Sequence, residues 1–580
     1  MARRAQAGTP GTGRPVLADP LYYLNNFRAV LTSLESRYWT LLTAEERQFI
    51  RQFARLPEPS CALLVRMIMR VGMLFRSSRL EYPEIGDIAA AAAPLLHIGW
   101  LQEPALDAAT LHRVLTKAEL VVHLPLNRDL SRLDKPDLLA VLRERFPELR
   151  PLAGWCKRLG DRVFRSEIKP LAERLRLIFF GNFHQDWKQF VLSDLGVSRY
   201  ERVSVHSAPF RTRAHIDAFY QLYRCQLALE DGTELMDIVG NVPRPITDSD
   251  WLEEHRQRLL FQVGTAYERL DDVSAASAVF STCRHRGARM RTVRSLELAQ
   301  KCEAARDLCL AAISSPESEA ERQQVRRVLP RLNRKLGLAE EKSADGLTQL
   351  ASFDVQLDTF PDGRALEFQV RDHLARQEQA NSTVHYVENG LINSLFGLLC
   401  WDAIFAPIPG AFFHDFQYGP ADLESPYFYQ RRRERFAQCF SELESGRYKD
   451  IIRQRLCAKA GIQTPFVAWG LLSRPLLEHA LRCFPASHLR LWFEWIVRDV
   501  VENRTGYPDL VQFWPGEQRY RMVEIKGPGD RLRDNQRRFL EFCTDHRMQV
   551  FVCRVTWARM RIEDRGRLRK GRRGSNCDIP

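Results

Sequence analysis

For most of its length this chain repeats its apolar side chains at intervals of three and four residues, and only near the C-terminus does it change to strict alternation. The first period belongs to one face of a helix and the second to one face of a pleated strand. The switch therefore divides the chain into a long helical part and a shorter part that contains a sheet. At 580 residues it is also too long for a single hydrophobic core. The expected fold is multidomain, with an all-α N-terminal two-thirds and a C-terminal α/β core.

Within the helical part, Tyr22, Tyr23, Phe27, Val30 and Leu31 share one face. Thr43 to Glu46 reads as a capping box, with Thr43 at the N-cap and Glu46 three residues on. Leu63, Met67, Val71 and Phe75 continue the period, and Arg66, Arg70 and Arg76 beside them read as a solvated face or a face for DNA phosphates. Leu130 to Leu133 and Lys135 to Arg145 resemble the SAP helix pair of DNA-associated proteins, with Pro136 in the first turn of the second helix. Leu260, Val263, Gly264, Tyr267, Ala276 and Phe280 have the spacing of a tetratricopeptide unit, in which small residues let two helices approach. That region reads as a scaffold. The boundaries expected are a basic disordered tail over 1–20, a helical DNA-binding region over 21–105, a SAP-like unit over 106–165, a tetratricopeptide-like region with its polar linker over 166–345, and the sheet-containing domain with a basic tail over 346–580.

Charge and cysteine usage narrow the class. Eighty-five Lys and Arg against 72 Asp and Glu leave a net charge of +13, which favours a polyanionic partner, nucleic acid before an anionic membrane surface. The thirteen cysteines are scattered singly, with no CxxC pair, against a disulfide framework or a zinc site and in favour of reduced thiols in the cytoplasm. Met1 to Leu17 is polar and carries Arg3, Arg4 and Arg14 without the apolar run of a secretory signal. The most apolar stretch, Leu391 to Phe413, contains Asn393, Asp402, Pro407 and Pro409, so it reads as a buried helix of a soluble protein ending near the prolines and not as a membrane span.

The chemistry concentrates between Gly506 and Gly529. Two alternating segments joined at Pro515 and Gly516 read as a hairpin. Asp509 begins the first strand. Glu524 and Lys526, two apart on the second, project from one face while Val523 and Ile525 face the other way. A carboxylate opposite a Glu-x-Lys pair is the PD-(D/E)xK arrangement of divalent-metal nucleases. Phosphodiester hydrolysis needs hard oxygen ligands for Mg²⁺ or Mn²⁺, which Asp509, Glu524 and the Ile525 carbonyl can supply. Lys526 is placed to act on the attacking water or on phosphate charge, and the sequence leaves those two roles open. A helix over Asp534 to Phe542, carrying Gln536, and a strand over Gln549 to Val555 complete the expected core.

Arg504, Gly506, Pro508, Asp509 and Leu510, followed by the run Val523 to Leu532 and by Gln536, resemble the VRR-NUC nuclease module. Tyr22 to Phe27, Leu41 to Glu46, and Phe75 and Arg76 with Leu80 to Ile85 resemble the N-terminal region of the Fanconi-associated nuclease family. The resemblance implies a structure-selective DNA nuclease that cuts 5′ flaps in branched duplexes, trims 5′ to 3′ and acts in interstrand crosslink repair. It also implies a further metal-site glutamate from a helix upstream of the hairpin. Glu388 matches that position best and Asp402 second, while Gln536 is a supporting residue. The sequence departs from the animal members in one respect, because no Cys/His spacing fits their ubiquitin-binding finger.

Lys135 in the SAP-like unit, and Arg431, Arg432 and Arg433 in an aromatic and basic run, are candidate DNA contacts, and the run Arg565 to Arg573 reads as a salt-sensitive basic tail. Two other functions fit the same motifs: a symmetric Holliday-junction resolvase, and a repair scaffold that binds branched DNA without cutting it.

Overall fold

The N-terminal helices begin where their caps dictate. Thr43 Oγ1 accepts the Glu46 amide and the Glu46 carboxylate accepts the Thr43 amide, so the expected capping box starts helix Ala44–Phe53. Glu46 is fully buried and also receives Arg213, at 2.6 Å, and Arg174. The computed structural model describes residues 19–124, 133–189, 198–205, 208–338, 349–357, 365–377 and 382–558. The N-terminal tail through residue 18, residues 130–132 of the SAP-like pair, the linker at 340–346 and the basic run 565–573 lie outside them.

The chain forms two compact units, 1–199 with 208–220, and 200–207 with 221–580. The first is mainly helical. It also contains a small antiparallel sheet that the helical periodicity did not show: β1 (Leu74–Arg76), β2 (Leu101–Gln102) and β3 (Val163–Ser166), in the order β1-β3-β2. The stripe read from Leu63 to Phe75 breaks at Met69, where the helix ends; Val71 is exposed at a turn through Gly72, and Phe75 lies in β1. Arg66 and Arg76 are not a solvated face either. Arg66 pairs with Glu84 and stacks on Tyr23, and buried Arg76 is held by Asp161 and Glu119. The SAP-like helix Lys135–Arg145 starts at the Asp134 N-cap with Pro136 in its first turn, and buries Leu138 and Leu142 against Leu111, Leu120 and Trp155.

The second unit contains a succession of helices joined by short connections. Helices Asp250–Arg269 and Val273–Thr282 meet where Gly264 faces the Phe280 ring so closely that a Cβ would sit 2.6 Å from it, the close approach the tetratricopeptide-like spacing predicts. Helices Ala288–Leu298, Cys302–Ser314 and Glu319–Lys335 follow.

Beyond them lies a five-stranded mixed sheet of β4 (Ser352–Leu357), β5 (Thr383–Tyr386), β6 (Leu510–Trp514), β7 (Arg519–Lys526) and β8 (Val550–Trp557), in the order β4-β8-β7-β6-β5. β6 and β7 are the expected antiparallel hairpin, and β7, β8 and β4 run parallel. Both faces of the sheet are covered, as parallel strands require. Val523 and Ile525 pack with Leu510, Val555 and helix Leu366–Gln377 on one face. Val511, Phe513 and Met522 belong on the other to the largest core, built from helix Asp534–Asp545 and the helices between β5 and β6. The apolar stretch from Leu391 forms helices Leu391–Leu399 and Trp401–Ile404, buried at the centre of that core and ending before Pro407. Among the described residues no helix is long and apolar enough to cross a membrane.

Gly506 fixes the approach of the chain to β6, and so the place of Asp509, the residue before that strand. Its φ is +89°, and a Cβ there would lie 2.7 Å from the backbone of Asn535 at the start of helix Asp534–Asp545. Gly506→Ala should therefore cost roughly 2–5 kcal/mol from backbone strain and overpacking together. Thermal unfolding of the variant beside wild type measures this, and an unchanged midpoint would show that the helix yields without cost.

Candidate active site

The β6–β7 register pairs Leu510 with Val523, which sets Asp509 opposite Glu524. Alternation then puts Glu524 and Lys526 on the face that carries Met522, so three ionisable groups converge at the end of the hairpin. Asp509 Oδ2 accepts the Ile525 amide at 2.8 Å, and Lys526 Nζ lies 2.8 Å from Glu524 Oε1. Lys526 also donates to Gln536 Oε1 at 3.0 Å, and the same oxygen accepts the Arg533 amide at the start of helix Asp534–Asp545. The supporting position expected for Gln536 is thus a clamp on the lysine.

Glu388 joins the group from β5. It does not lie on a helix, as the resemblance implied, but in the turn between β5 and helix Leu391–Leu399 with φ +32°. A non-glycine residue there carries about 1–3 kcal/mol of backbone strain. The Val387 and Glu388 amides both donate to the Asp509 carbonyl, at 2.8 and 3.1 Å, and Asn389 Oδ1 accepts the Tyr507 amide. The turn is thereby bolted to the segment bearing Asp509. Asp402, the second candidate, sits in helix Trp401–Ile404 with its carboxylate in an ion pair with Arg455.

Electrostatics distinguish this corner of the sheet. Burial pushes the Glu524 carboxyl up to about 7, helped by the neighbouring Asp509 charge and opposed by Lys526. Burial also raises Asp509 to about 6, with the Glu367 and Glu388 carboxylates adding to the rise and the Ile525 amide and Lys526 opposing it. Glu367, in the first turn of helix Leu366–Gln377, was not singled out in the sequence, because nothing in its spacing ties it to a hairpin more than a hundred residues later. Tyr386, whose hydroxyl donates to Glu388, was missed for the same reason.

The donor set suits a divalent cation. Glu524 is 1% exposed and, among the described residues, neither of its carboxylate oxygens accepts a hydrogen bond, leaving Lys526 as its ion-pair partner. A buried and a half-buried carboxylate that repel each other are relieved by a shared positive charge, and hard oxygens are the ligands that Mg²⁺ and Mn²⁺ prefer. As the side chains stand, no three His, Cys, Asp or Glu groups among the described residues converge closely enough to chelate an ion.

The candidate DNA contacts divide. Arg432 is buried, bonded through both terminal nitrogens to Asp422 at 2.9 and 2.8 Å and packed over the Phe428 ring, so it is a structural residue and is not available to phosphates. Arg431 pairs with the same aspartate and donates to the Pro409 carbonyl. Arg433, at the start of helix Arg433–Glu444, is exposed. Lys135 is half-buried at the first turn of its helix, where its carbonyl accepts His112 Nε2. The twelve cysteines among the described residues are all free thiols.

An Asp facing a Glu-x-Lys pair on a hairpin, followed by a helix and a parallel strand, defines a nuclease core of the PD-(D/E)xK class. The sequence profile of the VRR-NUC domain matches residues 443–557, that of the FAN1 HTH domain residues 21–102, and that of the Fanconi anemia-associated nuclease SAP domain residues 105–155. The chain is 48% identical over 560 residues to the Fanconi-associated nuclease 1 homolog of Pseudomonas aeruginosa, covering 96% of this chain and 99% of that one. A homolog from Arabidopsis thaliana is 24% identical, over 92% of this chain and 67% of its own. The crystal structure of paFAN1 bound to 5′ flap DNA with a 2-nucleotide flap and a gap superimposes with a TM-score of 0.88 at 47% identity, covering 94% of this chain and all of that one. The chain belongs to the Fanconi-associated nuclease family, and it is a structure-selective DNA nuclease.

A carboxyl whose folded pKa lies above its unfolded value leaves the fold unpenalised below the unfolded value and weakens it as pH rises through the folded one. For Glu524 that window runs from its ordinary 4.5 to about 7. In EDTA, Glu524→Gln should therefore be more stable than wild type at pH 8, by on the order of 1–3 kcal/mol, with the advantage gone near pH 4. Scanning calorimetry of both proteins across this range decides the matter, since a difference independent of pH would mean that Glu524 is not held in a raised state.

Proposed function

We propose that this nuclease incises 5′ flaps and related branched duplexes near the flap base, trims 5′ ends in the 5′-to-3′ direction, and serves interstrand crosslink repair in the cytoplasm. The observation that carries the reading is the Asp509–Glu524 pair facing across the hairpin, with Lys526 held between Glu524 and Gln536. Likeness over nearly the whole chain to a Fanconi-associated nuclease homolog, and to a structure holding 5′ flap DNA, supports the substrate class.

Asp509, Glu524 and the Ile525 carbonyl would hold Mg²⁺ or Mn²⁺, with Glu388 completing the set. When bound, the cation supplies Lewis acidity toward the phosphoryl oxygen and lowers the pKa of a water. Lys526 then meets the phosphate or the attacking water as a pre-positioned cation, because Glu524 and Gln536 leave its ammonium little freedom. Since Asp509 and Glu524 stand near 6 and 7, they release protons to bind a cation, and cleavage at subsaturating metal should rise with pH through that range. The helical regions and exposed arginines such as Arg433 would hold duplex phosphates, a contribution that salt removes.

The test is cleavage of an end-labelled 5′-flap duplex in Mn²⁺, Mg²⁺ or EDTA, with wild type beside Asp509→Ala. Metal-dependent incision near the flap base, lost in the variant while flap binding persists, is the expected result. Binding without cleavage in either metal would favour a scaffold, and paired symmetric cuts on a four-way junction would favour a resolvase.

A further inference from the structure

Glu388 is fixed in its backbone and exposed in its side chain, whereas the Glu524 side chain is buried and Asp509 half-buried. Its amide is tied to Asp509, its φ is strained, and the turn is locked by Asn389 on the Tyr507 amide and by Asn393 on the Arg504 carbonyl. The side chain, by contrast, projects where water can compete for it, and an exposed glutamate samples several rotamers. One contact opposes that freedom: the Tyr386 hydroxyl donates to Glu388 Oε2. Asn389 Nδ2 approaches the other oxygen at only 3.4 Å, a weak contact that an incoming cation can displace.

Tyr386 is itself well anchored. It is the last residue of β5, paired across the ladder with Leu510 beside Asp509, and its ring packs against Phe368 of helix Leu366–Gln377 at 5.3 Å between centroids. The Arg371 guanidinium lies over the Phe368 ring, 5.1 Å from its centroid. The hydroxyl therefore issues from the strand paired with β6 and from a packed ring, two residues before the carboxylate it binds in the turn that follows.

We infer that Tyr386 is a positioning residue of the metal site, holding Glu388 through Oε2 and leaving Oε1 as the atom that would serve a divalent cation together with Asp509 and Glu524. The inference rests on the metal-nuclease reading proposed above. A ligand carboxylate held by an outer hydrogen bond loses less freedom on binding, and removing such a partner typically weakens metal affinity by about 10–100-fold. Tyr386 contacts neither ion nor substrate, so its loss should act through affinity for metal and leave the chemical step intact once metal saturates.

Three variants of the whole protein separate the possibilities: Tyr386→Phe, which keeps the ring against Phe368, Glu388→Gln, and Asp509→Ala. Mn²⁺ binding is read directly by electron paramagnetic resonance of the free ion, without DNA, and flap cleavage is then measured over a Mn²⁺ titration. Tyr386→Phe should raise the Mn²⁺ dissociation constant about 10-fold, and wild-type kcat should return at high Mn²⁺. Glu388→Gln should weaken Mn²⁺ binding at least as much. If Glu388→Gln weakens binding and Tyr386→Phe leaves it unchanged or tightens it, the positioning role is overturned while the ligand set survives. If Glu388→Gln has no effect on Mn²⁺, or Asp509→Ala still binds and cleaves as wild type does, the ligand set itself is wrong and the role of Tyr386 falls with it. A kcat that stays low for Tyr386→Phe at saturating Mn²⁺ also overturns it.

Discussion

Two carboxylates, Asp509 and Glu524, face each other across the end of a buried hairpin, and much of the C-terminal unit is arranged around keeping them there. Left alone, such a pair would move apart or stay protonated, because both burial and mutual repulsion disfavour the second charge. Neither strand can retreat. β7 lies between β6 and β8, with Val523 and Ile525 packed on one face and Met522 in the main core on the other. Asp509 is held at its side chain by the Ile525 amide and at its carbonyl by the turn bearing Glu388. The repulsion is balanced by one ammonium group, Lys526, which Gln536 steadies from helix Asp534–Asp545. A rigid sheet thus maintains a concentration of negative charge that a flexible surface would disperse, and that concentration gives the site its use for a cation.

The same logic explains why helix Glu319–Lys335 is attached to the nuclease core by polar bonds. Arg327 reaches Asp534 with two hydrogen bonds, at 2.8 and 2.9 Å, and Gln323 accepts Arg538, which also pairs with Glu502. Asp534 and Arg538 lie on either side of Gln536 in one helix. The tetratricopeptide-like region therefore braces the helix whose first turn clamps Lys526, a structural task suited to a scaffold.

How far the sequence discloses this arrangement depends on the range of the interactions. The hairpin was legible because its alternation, its Pro515–Gly516 turn and its three ionisable groups fall within one short segment, as did the Thr43–Glu46 cap and the close approach at Gly264. β5 was not, because its four residues pair with β6 across more than a hundred intervening residues that fold into helices. Nor was the small sheet of β1 to β3, whose strands of two to four residues are too short to show a period. Glu388 was identified through family resemblance, which placed it on a helix; the apolar run after it is helical, but the residue itself is held in a turn by long-range bonds to Asp509.

Arg432 shows the opposite error, a local pattern that promised too much. In sequence it stands in a run of arginines and aromatics, the composition of a nucleic-acid track. In the fold, Asp422, ten positions earlier, takes both of its terminal nitrogens inside the core, and Phe428 stacks on the guanidinium. A buried ion pair is costly to break, since removing one partner strands the other charge without solvent. The alternation of fates along Arg431, Arg432 and Arg433 follows from a chain entering the helix Arg433–Glu444 through a single tight turn: the middle residue points inward and must be neutralised, and its neighbours point outward. Composition fixes the affinity of such a run for polyanions only after the fold has decided which charges are already satisfied.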